Sequence, residues 1–441
     1  MNNFYEKLFS IVQSKMESMT KVSVPKSLMY GMNSVTAVSG STVLRQFATS
    51  NGTSFNVATN EIRIPVNAGN GFLLGEKSYL AFTISNNNDV AAVDGNGAAG
   101  AVVSNLTLDS DAFCWCDQLR IESQGLVLER LDRAALYNNI KARMTGKLTS
   151  DARACKAGGP ADNTTLDGGT VDPGVSASFV VELPLGFLKN HLGRAIPSGV
   201  TFDLIVRVNP TAIECFKWQK AGDEDFSITN PRFYAPVAVI DNPNIINEYR
   251  ATVTKSGINW SGDVVKTYVS SIAAASGPQT FQINDRSQSL KALVSAQRGS
   301  ALMASEKNKS SSNIKKMSTY SYNIQGQSYP QDTVAVSSEA IGRSVEETQK
   351  AFARYGEDYA SPYMTSALFR HAEGCGIIGV DLRRFNDHSL KMTGLNTAQG
   401  GSPSTLEINY GETSVAGNMT TFAICEAVWT MGPDGRMSVS M

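Results

Sequence analysis

The side chains with the most chemical reach in this chain are six cysteines, at 114, 116, 155, 215, 375 and 425, and three histidines, His191, His371 and His388. Only Cys114 and Cys116 are close in sequence. As i and i+2 on a predicted strand they point the same way. The histidines are far apart, and no ligand spacing for zinc emerges. The thiols read as buried and free, and a cytosolic product gives no reason for disulfides. Asp223-Glu224-Asp225 could supply a carboxylate for glycoside chemistry, but such a run is ordinarily a solvated loop. Gly69, Gly71 and Gly75 in GNGFLLG lack GxGxxG spacing and a strand-to-helix context. The chain contains no GxxxxGK[ST], no GxSxG and no HExxH. Lys307, Lys309, Lys315 and Lys316 form a basic cluster without aromatic residues to stack on bases, so it reads as a solvated loop or a polyanion contact. The sequence therefore nominates no catalytic, cofactor-binding or metal-ligating residue and implies no cofactor.

Composition narrows the class. The formal net charge of −1 argues against a protein that coats nucleic acid. It suits one that packs beside its own copies. A length of 441 residues exceeds one ordinary core and fits two domains of roughly 200 residues. Hydrophobic residues make up 42%, enough for a large core. No apolar run approaches the roughly 20 residues that span a bilayer. Glu6, Lys7, Lys15 and Glu17 interrupt the N-terminal apolar residues, so a signal peptide is not expected and the chain reads as intracellularly made.

The elements that must position these residues are clearest in Phe113–Met144. Phe113, Trp115, Leu119 and Ile121 alternate with Cys116, Gln118, Arg120 and Glu122, the period of a half-buried strand, with Asp117 as the one departure. Ser123-Gln124-Gly125 is the expected turn, and Leu126–Leu131 the return strand. Asp132 sits where a helix N-cap would, and Leu136, Ile140 and Met144 follow on one helical face. The same grammar recurs about two hundred residues later. Tyr320, Tyr322 and Ile324 alternate, Gly326 turns the chain, and Tyr329 and Val334 lie on the return leg. Ser344 and Glu347 then read as a capping box for a helix bearing Val345, Thr348, Phe352 and Tyr355. Two copies of strand–turn–strand–helix indicate a duplication.

Three segments follow. Residues 1–40 form an arm, with Phe4, Leu8, Val12 and Met16 along one side of a short amphipathic helix, a break at Pro25, and the linker SVTAVSGS. Residues 41–241 hold strands at Val43–Thr49, Glu61–Val66, Tyr79–Ser85, the 113–131 hairpin, and alternations at Phe179, Val181, Leu183 and at Phe202, Leu204, Val206, Val208. Residues 226–240 contain two prolines and read as irregular or an edge. Residues 242–441, beyond the turn cluster Asp241–Asn244, repeat the order. They run through Val265–Ile272, Thr280–Ile283, Leu290–Gln297, the Tyr320 hairpin, Ile378–Leu382 and Leu406–Tyr410 to a last strand, Met419–Trp429. Each half has about eight strands. The predicted fold class is all-β, two consecutive eight-stranded jelly rolls with short helices in the loops. Two long insertions, 87–112 and 146–178, should then lie together, exposed, at one end of the first roll.

In this arrangement the chain resembles the double jelly-roll major capsid proteins of tailless icosahedral DNA viruses, leaning towards Polinton-like virus and virophage members. The resemblance rests on DQLRIESQGLVLERLDRAALYNNI in the first half, and on SLKALVSAQR and YSYNIQGQSYP with its helix in the second. It spans about residues 41–441. It implies a homotrimer whose six jelly rolls make a pseudo-hexagonal capsomer, upright strands, outward loop towers and inward termini. The implied partners are copies of the chain, neighbouring capsomers, penton or minor capsid proteins and, as in many relatives, an internal membrane, but no sequence-specific nucleic acid. The implied location is the virion shell, after synthesis in the host cytoplasm or nucleus. A β-sandwich carbohydrate-binding protein or glycoside hydrolase is the rival from another class, and a minor capsid or spike protein is a third reading.

Overall fold

The computed structural model describes residues 40–88, 105–108, 111–143, 156–158, 169–190, 194–218, 224–299, 316–336, 341–352, 377–383, 393–399 and 403–441. Outside them lie the Phe4–Met19 segment, Met144, Tyr355, the three histidines, Cys155, Cys375, Asp223, Lys307, Lys309 and Lys315.

The first half contains β1 (Gly40–Ala48), β2 (Glu61–Asn67), β3 (Tyr79–Asn86), β4 (Cys116–Ser123), β5 (Leu126–Asp132), α1 (Ala134–Arg143), β6 (Ser176–Val181), β7 (Thr201–Val208) and β8 (Phe226–Ile240). Its two main sheets run β1-β8-β3-β6 and β2-β7-β4-β5. The second half contains α2 (Pro243–Ser256), β9 (Ile258–Ile272), β10 (Gly277–Ile283), β11 (Leu290–Gly299), β12 (Met317–Ile324), β13 (Gln327–Ala335), α3 (Ile341–Phe352), β14 (Ile377–Asp381), β15 (Ser404–Tyr410) and β16 (Gly417–Met431). Its sheets run β9-β16-β11-β14 and β10-β15-β12-β13. Adding eight to each label of the first half gives the second. In both halves the first strand pairs with the eighth, the second with the seventh, the third with the sixth and the fourth with the fifth. That is one long antiparallel ribbon wrapped into two sheets, a jelly roll, and the chain is a double jelly roll. Among the described strands, none pairs across residue 241.

Alternation explains the cores. Phe202, Leu204, Val206 and Val208 on β7 are all buried. Leu204 lies opposite Ile64 on β2 and Ile121 on β4, both also buried. The outer face of this sheet is a charge ladder, with Arg63 on Asp203 at 3.0 Å and Arg120 on Glu122 at 2.9 Å. Both hairpins turn through Gln-Gly pairs with positive φ at each residue: Gln124 at 51° and Gly125 at 81°, Gln325 at 54° and Gly326 at 79°. This is the two-residue turn whose twist matches the flanking strands.

Several expectations need correction. β4 starts at Cys116, not Phe113. Residues 112–115 are turns, closed by Cys114 N–H donating to Asp111 O and Cys116 N–H to Phe113 O. The shared strand face expected for Cys114 and Cys116 therefore does not exist. The odd parity of Asp117 is a bulge, because Val208 pairs with Cys116 while Arg207 pairs with Gln118. Asp132 caps nothing; its carboxylate accepts from Gln118 and from Arg130 Nε at 3.0 Å, while Arg133, at φ 57°, leads into α1. The Ser344–Glu347 capping box does not form. Helix α3 starts three residues earlier, Ser344 is buried within it, and Glu347 pairs with Lys350.

Residues 226–240 are neither irregular nor an edge but a fifteen-residue strand between β1 and β3. Their prolines fall where no ladder bond is lost. Pro231 sits in a register shift between Thr229 and Arg232, and Pro236 lies past Tyr234, where pairing with β3 ends. The last strand is not Met419–Trp429. β16 is longer, and β17 (Met437–Ser440) pairs with its far end. Helix α2 was not foreseen, because Asp241–Asn244 read only as a turn cluster.

Candidate functional site

Two features stand out once the sheets are in place: the end of the first roll where its long connections meet, and the seam between the rolls. At the loop end, three connections each contribute a short strand. Leu106–Thr107 pairs with Thr170–Val171 on one side and with Lys217–Trp218 on the other. Segments 87–112 and 146–178 therefore meet, but their described parts are not simply exposed. Leu106, Leu108, Ala112, Ala157 and Val171 are buried, as are Phe216 and Phe226, whose rings pack at 4.8 Å. Apolar residues spaced through Gly- and Asp-rich sequence carried this signal, but no regular period marked it.

The seam is built from elements of both rolls. After β6 the chain runs Glu182-Leu183-Pro184-Leu185-Gly186-Phe187. Pro184 cannot donate to a ladder, and the chain leaves the sheet. The Phe187 ring meets Phe202 of its own roll at 5.2 Å and, across the seam, Trp260 at 5.6 Å and Trp429 at 5.4 Å. Trp429 Nε1 donates to Leu128 O at 3.0 Å. The backbones touch here: a Cβ on Gly186 would sit 2.0 Å from Asp263 O, and one on Gly262 would sit 2.5 Å from Gly186 O. Thr267 Oγ1 donates to Asp132 O at 2.8 Å, and the Tyr137 ring of α1 lies 5.3 Å from Phe422.

Buried charge locks this contact. The Glu129 carboxylate on β5, 1% exposed, accepts the N–H groups of Gly186 and Phe187, each at 2.8 Å. Burial pushes its pKa up to about 7, the Asp263 charge adds to the rise, and the two N–H bonds and Lys141 oppose it. Lys291 Nζ bridges Asp263 at 2.9 Å and Glu426 at 3.4 Å. A cavity of about 90 Å³ opens beside it, lined by Lys141, Lys189, Asp263, Lys291, Phe352 and Arg383 among others. Lys189 pairs with Glu182 at 2.8 Å and Arg383 with Asp381 at 2.7 Å. With these carboxylates beside the cations, the arrangement serves cohesion between the rolls.

A second buried network lies inside the second roll. The Asp285 side chain, with no exposed surface, accepts from Ser287 Oγ at 2.7 Å, Thr397 Oγ1 at 2.9 Å and Tyr268 OH at 3.1 Å, with Lys266 Nζ at 3.5 Å. Burial, then the Asp285 charge, holds the Tyr268 phenol well above its usual range and pushes the Cys425 thiol up to about 12. Burial likewise raises the Cys116 thiol. The four described cysteines are buried; Cys116 and Cys425 are protonated at neutral pH and poor nucleophiles.

The remaining candidates do not converge. Asp225 accepts from Asn87 in a loop, and Lys316 Nζ donates to Thr413 O. Among the described residues no group of three or more His, Cys, Asp or Glu is placed to hold a metal, and no helix is long and apolar enough to cross a membrane. Sequence reading missed Glu129, Asp263, Lys291 and Glu426 at the seam and Asp285 inside the second roll, because each meets its partners only once distant segments have packed.

No protein-family model and no curated protein matches the chain. Solved structures do. The capsid protein of a quasi-atomic model of the PBCV-1 virus capsid superposes with a TM-score of 0.62 at 10% identity, covering 93% of this chain and 99% of that one. The Faustovirus major capsid protein gives 0.58 at 8%, covering 91% and 92%. The Sputnik virophage structure gives 0.55 at 11%, covering 95% and 92%. At such identities the likeness is one of fold, and that fold is the double jelly roll of viral major capsid proteins.

Proposed function

We propose that the chain is a structural major capsid protein. It trimerises into pseudo-hexagonal capsomers and, with neighbouring capsomers and penton or minor capsid proteins, builds an icosahedral virus shell. On this reading residues 1–40 are an arm, 41–241 the first jelly roll and 242–441 the second. The virion is its place and catalysis is not its task.

The observation that carries the proposal is the repeated sheet order over nearly the whole chain, matched end to end by capsid proteins. Two rolls of identical strand order, fixed side by side by the seam, present two similar faces. Three such bodies around an axis give six rolls in a quasi-sixfold ring, the shape that tiles a flat facet. A near-zero net charge lets like copies approach without strong repulsion. The large apolar side chains left exposed among the described residues are Val and Leu, which serve protein contacts better than sugar stacking.

The test is electron microscopy of the purified full-length protein with its mass in solution. Trimers and hexagonal particles of uniform size are expected. A monomer at high concentration that forms no particles and retains a glycan would overturn the proposal in favour of a β-sandwich sugar-binding protein or glycoside hydrolase.

A further inference from the structure

Helix α2 is well specified at its start and poorly covered along its length. Asn242 caps it, accepting the Asn244 N–H at 3.0 Å, and Pro243 opens the first turn. None of its fourteen residues is buried. Its apolar residues Ile245, Ile246, Tyr249 and Val253 fall within one arc of about 100°. Tyr249 is docked, its ring 4.9 Å from Phe72 and its OH donating to Ser198 O at 3.1 Å. Val253 reaches the edge of the core. Ile245 and Ile246, at the beginning of the arc, are only partly buried and lie outside that core.

Strand β1 is equally bare. Val43 and Leu44, on opposite faces of the strand, are 52% and 53% exposed, while Phe47 packs against the core. β1 starts where α2 starts, because Gly40 pairs with Ile240, two residues before the helix cap. The first 39 residues therefore join the molecule beside the uncovered end of α2.

Those residues carry a cover of matching kind. Phe4, Leu8, Val12 and Met16 recur at four-residue spacing, and a helix of that length is near the limit of stability alone in water. Its apolar stripe needs a partner, and so does the arc of α2. The segment 20–39 spans up to about 70 Å when extended, so reach does not limit docking. A tether this short holds the stripe at millimolar effective concentration, which favours the chain's own copy over a neighbour's.

We infer that Phe4–Met19 docks as a helix on α2 of the same chain, covering Ile245 and Ile246 at the corner where β1 begins. The inference stands on this corner alone and does not require the shell. Its test is hydrogen exchange on the full-length double variant Leu8→Asp/Val12→Asp. Amides of residues 246–253 should exchange at least tenfold faster than in the parent, with β7 and β15 unchanged. The polar-face control Lys7→Gln/Lys15→Gln should match the parent. Equal exchange of α2 in parent and double variant would overturn the inference. A Val12→Cys/Ile246→Cys pair, oxidised and sized under denaturing conditions, settles the chain of origin. A within-chain bridge supports docking on the same chain, and bridges found only between chains overturn it.

Discussion

At the scale of single residues, two buried carboxylates carry opposite lessons. Glu129 keeps its proton to a higher pH folded than unfolded, because burial outweighs its two N–H bonds. The protonated form is the one folding favours. Its stabilisation is therefore full below about pH 4.5 and is lost as pH rises through about 7. That rise, at about 1.4 kcal/mol per pH unit, amounts to about 3 kcal/mol. Glu129→Gln stays neutral, so its stability relative to the parent should improve between pH 5 and pH 8, as measured by urea midpoints. A difference that does not change with pH would show that Glu129 does not titrate there. Asp285, by contrast, is saturated with donors. Asp285→Ala strands three hydroxyls and the Lys266 ammonium, and should cost about 3–5 kcal/mol in chemical denaturation. A loss below about 1 kcal/mol would mean the network rearranges without it.

At the scale of elements, the two hairpins offer a clean measurement. A Cβ on Gly125 or Gly326 would meet nothing within 4 Å, so substitution there tests backbone conformation alone. Both residues have φ near +80°. Gly125→Ala and Gly326→Ala should each cost about 1–2 kcal/mol, equally in the two halves. Unequal costs would mean that the hairpins, though alike in turn geometry, differ in what their strands hold. The helices after the hairpins are less alike. α1 buries Ala134, Leu136, Tyr137 and Ile140, whereas α3 buries the small residues Ser344, Thr348 and Ala351. The reason is close approach: a Cβ on Gly379 of β14 would sit 3.3 Å from the Thr348 backbone. Larger side chains on that face of α3 would not fit.

At the scale of the molecule, the seam decides whether the rolls behave as one body. Phe187 is one of the rings that touch both, and its contacts are aromatic and buried. Phe187→Ala should cost about 3–5 kcal/mol and resolve a single calorimetric transition into two, one per roll. A single transition with a small loss would show that hydrogen bonds such as Trp429 to Leu128 and Thr267 to Asp132 suffice to couple them.

The fold was legible in the sequence where burial follows a period. Phe202 to Val208 and Leu406 to Tyr410 alternate because one sheet face is wet and the other dry, and the two Gln-Gly turns announce their hairpins locally. Those signals, counted, were enough for two eight-stranded rolls. Signals failed where tertiary context overrides a local cue. Asp132 and Ser344 have the right residue types for caps, but Gln118 and Arg130 claim the first and a buried helix face the second. Prolines marked 226–240 as an edge because sequence cannot show that a bulge and a strand end sit opposite them. The seam was invisible for a stricter reason. Glu129, Gly186, Asp263 and Trp429 lie up to three hundred residues apart, and none carries a local pattern that names its partner. Period and turn chemistry are properties of neighbours in the chain; a buried carboxylate near pH 7 or two glycines in backbone contact exist only once both rolls have closed and met.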